Sequence, residues 1–297
     1  MSTKRKTGPS DIRAPILLPI AEEQLPRLKR FLDPVVQQVE TTDYIATDPV
    51  AFMHRFDDDS DRNLAGFLSA LLAWGRRDIV MRKIGELLER FGTGPADYIG
   101  NMNRGDEARL DGFKHRTFTA DDIRWILRGL SRVMRDYGSF EAFWRECYRS
   151  AAVSTDRTDL SLLAVFHNRF FDLIPEAPFR VRKHISSPDK NSSCKRLWLF
   201  LRWTVRQQSC VDPGSMPFMP ASELMIPLDV HVARFSRLFG LLTRRANDRR
   251  AVEEITGWLR QMAPHDPAKY DYALFGLGIR DIAIPDEFVV NDRTMYL

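Results

Sequence analysis

The stretch Ser192-Ser193-Cys194-Lys195-Arg196-Leu197-Trp198-Leu199-Phe200-Leu201-Arg202-Trp203-Thr204 decides the fold class. Leu197, Phe200, Leu201 and Thr204 recur at three- and four-residue spacing, which predicts one buried stripe on a helix over residues 193–207. Either serine can cap that helix. Outward from it the same rhythm dominates the chain. Ala65, Leu68, Leu71 and Leu72 share it, as do Ile84, Leu87, Leu88 and Phe91, before Gly92 and Gly94-Pro95 stop the run. Asp121-Asp122 opens a helix with Ile123, Ile126, Leu127, Leu130 and Met134 on one face, ended by Gly138. Ser139 caps the next, which carries Phe140, Phe143, Trp144 and Cys147. Further helices fit 160–171, 230–239, 249–262 and 267–275, and alternating, strand-like pattern is almost absent. The expectation is an all-α protein of roughly ten helices.

Composition narrows the class. The chain has 297 residues, 44% of them hydrophobic, enough for a sizeable core. No apolar run is long enough to span a membrane, so no membrane partner is expected. The first residues, with Lys4, Arg5 and Lys6 among small polar ones, lack a secretory h-region and read as a disordered basic tail over 1–14. Formal charge is only +4, but the 44 basic residues divide into 9 Lys and 35 Arg. Arg forks match phosphate bidentately, which fits a polyanion partner; an Arg-rich genome would give the same bias. Cys147, Cys194 and Cys210 are too few and too scattered for a disulfide framework or an iron–sulfur cluster, so a cytoplasmic location and no cofactor are expected.

Three segments can carry chemistry. Lys195 falls in the first turn of its helix, where the dipole and the nearby Lys190 and Arg196 disfavour a charged amine; an amine nucleophile needs that. Exposed N–H groups at Ser193 and beyond could instead hold phosphate, and a plain surface lysine is the bland alternative. In Ile226-Pro227-Leu228-Asp229-Val230-His231-Val232-Ala233-Arg234, Asp229 either caps a helix or presents its carboxylate to a cleft. Val230, Ala233 and Leu238 are expected inward, with His231 and Arg234 facing solvent or phosphate. In Phe67-Leu68-Ser69-Ala70-Leu71-Leu72-Ala73-Trp74-Gly75-Arg76-Arg77, a buried helix ends in an aromatic and two forks, suited to bases and phosphates or simply to a solvated helix end. Asp266 reads as the cap of the helix bearing Tyr270, Tyr272 and Phe275. A metal phosphohydrolase would need several further ligands at matched spacing, which the sequence lacks; a metal site built from His231, His265 and Asp229 is the minor alternative, and no metal is expected.

The blocks GFLSALLAWGRR, SSCKRLWLFLRW and IPLDVHVARFSRLFGLL, with DPVAFMHRF and DPAKYDYALFGLGI, resemble a bacterial family of unassigned function that is similar to the helix-hairpin-helix DNA glycosylase superfamily. The resemblance covers about residues 45–280. It implies a two-lobed helical fold with a central groove, one domain over 15–297 with lobes of about 60–190 and of 15–59 plus 205–297. It implies that Lys195 attacks the sugar C1′ and that Asp229 activates it or stabilises the cationic sugar. The 34-residue separation of the two looks like the archaeal 8-oxoguanine glycosylase branch. By the same resemblance Trp74, Arg76, Arg77, Lys190, Ser193, Arg196, His231 and Arg234 would contact DNA, with Arg202 a further phosphate candidate. The sequence departs in two places. Ser186 to Ser193 replaces the Gly-rich hairpin, and Gly75-Arg76-Arg77 replaces the polar triplet that probes the base stack. The functional expectation is a monomeric, nucleoid-associated DNA glycosylase, with associated strand cleavage, acting on damaged duplex or single-stranded DNA, an oxidised purine being one candidate base. The alternative is a non-catalytic nucleic-acid-binding protein on that scaffold.

Overall fold

The computed structural model describes residues 16–153 and 161–292. The basic tail assigned to 1–14 lies outside them, as does Leu160. Helices come in this order: α1 (Leu25–Val39), α2 (Thr42–Ile45), α3 (Asp59–Leu72), α4 (Arg77–Glu89), α5 (Pro95–Asn101) and α6 (Arg104–Ala108). After a two-stranded hairpin, β1 (Lys114–His115) and β2 (Phe118–Thr119), come α7 (Ala120–Tyr137), α8 (Phe140–Ala152), α9 (Ser161–Asp172) and α10 (Phe179–Arg182). The last are α11 (Lys195–Val205), α12 (Val230–Leu238), α13 (Arg249–Met262) and α14 (Tyr270–Ile279). The protein is therefore mostly helical, with fourteen α-helices among the described residues rather than ten.

Two helices carry the centre. In α11 every residue from Leu197 to Val205 is buried, and in α3 every residue from Asn63 to Leu72. A helix buried all round must be enclosed by others. Here α3 packs on α11, α4, α5 and α8, while α7, α8 and α9 pack on one another. On the other side α14 lies between α1 and α12, and α13 touches α1. The aromatic residues Phe67, Phe140, Phe166 and Phe200 meet edge to face where α3, α8, α9 and α11 converge.

Helix ends follow local chemistry, with corrections. Thr119 and Asp122 form a capping box on α7, Gly138 closes it at φ 80°, and Ser139 caps α8. At α11, however, neither serine caps the helix. The cap position is Cys194, held left-handed at φ 50°, and Ser192 Oγ accepts the Cys194 N–H instead. Asp266 makes no side-chain cap, because its carboxylate is taken by Arg206 Nε at 2.9 Å. Val230 is not inward: as the first residue of α12 it is 70% exposed.

Candidate active site

The site is built where α3 ends and α11 begins. At the end of α3 the Leu71 carbonyl is taken by Arg196 Nη1 at 2.6 Å, and the Leu72 carbonyl accepts the Trp74 N–H at 2.8 Å and lies 3.0 Å from His115 Nε2. Arg196 thus turns inward, where burial lowers its pKa to about 10. Its guanidinium also lies 5.8 Å from the Phe118 ring. These contacts pin Lys195, next door on α11, against the end of α3. They also fix the turn Ala73–Arg76. Gly75 there has φ 112°, a conformation open to glycine, and Arg116 lies 4.4 Å over the Trp74 ring. The pair Arg76-Arg77 does not close α3: Arg76 is the cap position of α4 and Arg77 its first residue.

Asp229 caps α12. Its Oδ1 accepts the N–H groups of His231 and Val232, both at 2.9 Å. That leaves Oδ2, which lies 3.9 Å from Lys195 Nζ. The side chains are 28% and 18% exposed, so both are reachable from solvent yet sheltered. The capping and cleft roles read as alternatives for Asp229 are thereby divided between its two oxygens.

Amine and carboxylate open into a cavity of about 500 Å³, within the size range of small-molecule sites. Trp74, Leu199 and Phe275 give it apolar walls, and Arg77 and His231 also line it. Arg77 lies 5.1 Å from the Phe275 ring and 5.7 Å from the Tyr44 ring, and donates to Asp48 Oδ2 at 3.4 Å. The remaining residues read as DNA contacts do not line it. Arg76 is exposed and paired with Asp78 at 2.8 Å, Lys190 stacks on Phe179, and Arg234 is exposed on α12. Ser193 is half-buried beside Cys194. Arg202 is corrected outright as a phosphate contact: it is 1% exposed and bound to Asp271, Asp212 and Tyr272. Burial works against its charge, but Asp212, Tyr272 and Asp271 hold its pKa well above the usual value.

Sequence reasoning missed Asp271, Tyr44 and Asp48. Asp271 lines the cavity from α14, 6% exposed. Burial pushes its pKa up, Arg202 opposes this and Asp229 adds to it, leaving it at about 7. The available signal was a lone acid inside Ala268-Lys269-Tyr270-Asp271-Tyr272-Ala273-Leu274, where burial on all sides makes any charge expensive. Tyr44 lies on the single-turn α2 and Asp48 just after it, where the elements are too short to show periodicity. Among the described residues no cluster of three or more His, Cys, Asp or Glu could hold a metal ion, and no helix is long and apolar enough to cross a membrane.

A mostly helical chain with a cavity that gathers one amine and several carboxylates is the class defined by this geometry. The chain belongs to the family described as a protein of unknown function, DUF2400, which matches residues 48–280 and so covers Lys195, Asp229 and Asp271 but not Tyr44. No curated protein and no solved structure matches it.

Proposed function

We propose that the protein is a DNA glycosylase of helix-hairpin-helix type with associated lyase activity, in which Lys195 is the nucleophile and Asp229 the group that stabilises the cationic sugar. The observation that carries this reading is the 3.9 Å approach of Lys195 Nζ to Asp229 Oδ2 at the mouth of an apolar-walled cavity. Residues 34 apart in sequence, on two different helix starts, gain no shared structural duty from that approach. Lys195 donates no hydrogen bond to any described residue, so the amine is not consumed by the fold. A carboxylate held in place beside a developing positive charge, in a partly sheltered site, is worth more than one in open solvent. Trp74 and Phe275 offer flat faces for a base flipped out of the stack, a step that costs a few kcal/mol.

The test is borohydride trapping with a panel of duplexes carrying single damaged bases, together with a duplex carrying an abasic site. A covalent adduct that Lys195→Gln abolishes is the expected result. Binding to the same duplexes with no adduct on any of them, abasic site included, would transfer the protein to the alternative class of non-catalytic nucleic-acid binders.

A further inference from the structure

Behind the cavity wall lies a charge network that the reading above does not use. Arg202 bonds Asp271 and approaches Asp212 at 3.4 Å. Arg206 bonds Asp212, Glu40 at 2.8 Å and Asp266 at 2.9 Å. Two guanidiniums thus face four carboxylates. Two of the four, Asp212 and Glu40, have two donor groups each. Asp212 accepts from Arg206 and from Tyr272 Oη at 2.6 Å. Glu40 accepts from Arg206 and from Ser209 Oγ at 2.6 Å. Asp266 takes Arg206 Nε on both oxygens, at 2.9 and 3.2 Å. Among the described residues Asp271 has one donor, Arg202 on Oδ2, and none on Oδ1; Asp266 shares that poverty of donors but its side chain is 28% exposed, against 9% for Asp271. It is also the member that lines the cavity with Lys195 and Asp229.

We propose that Asp271 is a third catalytic residue, the acid that holds a proton in the cavity and delivers it to the group leaving the carbon that Lys195 attacks. The inference rests on the glycosylase reading and adds to it a source for the leaving proton. A network with two more carboxylates than guanidiniums stores a proton at the buried carboxyl that has the fewest hydrogen-bond donors. In the step itself the Lys195 Nζ lone pair forms a bond to C1′, and the C1′–N bond breaks with its electron pair on the base. The Asp271 O–H bond breaks and its proton goes to that base nitrogen, leaving a carboxylate against Arg202. The new secondary ammonium loses its proton to water. Charged groups facing Asp271 are Arg202 and Lys195 from α11, Asp229 from the start of α12 and Asp212 from the loop after α11; the neutral Tyr44 phenol faces it from α2. On α1, Asp33 is taken by Tyr270 and Lys269 instead.

Base excision and attack on an existing abasic site separate this role, because only the first has a base to protonate. Asp271→Asn is expected to slow single-turnover excision by about 100-fold or more, a usual contribution of a general acid. Trapping on an abasic duplex should fall far less. Wild-type excision should decline as pH rises through a midpoint near neutrality. Asp271→Asn removes that limb, Asp271→Glu restores it, and Asp212→Asn moves the midpoint down by deleting a neighbouring negative charge. In carboxyl-carbon NMR of the whole protein, one Asp should titrate near neutrality and vanish in Asp271→Asn. Excision by Asp271→Asn at the wild-type rate, or no Asp titrating above the ordinary carboxylate range, overturns the proposal. If Asp271→Asn does not fold, an unmoved midpoint in Asp212→Asn overturns it. Failure of the glycosylase reading looks different: the wild type then traps no abasic duplex at all.

Discussion

Asp229 is the residue on which the structural and chemical duties are most cleanly separable. One oxygen holds two backbone N–H groups and the other faces the amine. Asp229→Asn keeps an oxygen for the cap, so urea unfolding should move by a few tenths of a kcal/mol at most, against roughly 1 kcal/mol for Asp229→Ala. Yet the amide carries no charge, so the single-turnover rate on a processed lesion should fall by about two orders of magnitude. Lys195→Gln keeps length and polarity but has no nucleophilic lone pair; the trapped adduct should disappear while duplex affinity changes little. Persistence of the rate in Asp229→Asn would reduce that residue to a cap. The cysteines give a simpler residue-scale check on burial. Burial pushes the Cys147 thiol up to about 12 and Cys194 to about 11, while Cys210 alone is exposed. A thiol reagent at neutral pH should therefore label Cys210 in the native protein and reach the other two only after denaturation.

At the scale of elements, periodicity carried most of the fold. The helix over 249–262 coincides with α13, and those opened by Asp121-Asp122 and Ser139 coincide with α7 and α8 within a residue or two. Their apolar stripes face one core, so the pattern and the tertiary requirement agree. What periodicity could not reveal is where a helix is buried on every side. In α11 and α3 the stripe is lost in a uniformly apolar surface, and the helix boundaries move to Cys194 and Leu72 under tertiary contacts from Arg196 and His115. The same limit hid Asp271, since α14 has no polar face against which a misplaced acid would stand out. Short-range chemistry also misled: Ser192, Ser193 and Asp266 are good caps by type, but Asp266 is claimed by a distant arginine. Close helix contact yields a further prediction. A Cβ on Gly129 of α7 would meet Phe170 Cζ at 2.4 Å, and Phe170 is fully buried and cannot retreat. Alanine gains about 1 kcal/mol in helix propensity, but overpacking costs about 1–3 kcal/mol. Gly129→Ala should therefore lower the urea midpoint, and a raised midpoint would show that the α7–α9 contact yields easily.

Across the whole molecule, the surplus of arginine is largely spent internally. Arg124 pairs with Asp111 and Asp121, Arg128 with Glu107, Arg132 with Glu176, and Arg202 and Arg206 are buried. The residues available to meet a polyanion near the cavity are few: Arg234, and Arg76 and Arg77, which are paired with Asp78 and Asp48. DNA affinity should accordingly fall with salt, but with a slope set by a handful of phosphates rather than by the arginine total. Each of Arg76→Ala and Arg234→Ala should reduce the log–log slope by about 0.9 if its side chain meets a phosphate. Affinity indifferent to salt would dismiss the surface as a nucleic-acid interface. Stability should carry its own pH signature. The Asp271 carboxyl is raised in the folded state to about 7, so its contribution is most favourable below the unfolded value near 4 and is lost as pH rises toward 7. Asp271→Asn should flatten that stretch of the stability profile in urea titrations. Finally, the two ends of the described chain are clasped together. Asn291 donates to the Leu18 and Arg237 carbonyls and accepts the Leu18 N–H at 2.8 Å, while Ile20 N bonds Gly240 O and α1 lies on α14. The order of helices is therefore effectively cyclic, with α14 preceding α1 as closely as α7 precedes α8. A circularly permuted chain, joined from 291 to 18 by a short linker and opened at the exposed Gly112 turn, should reach the same fold with its amine and carboxylates still in one cavity.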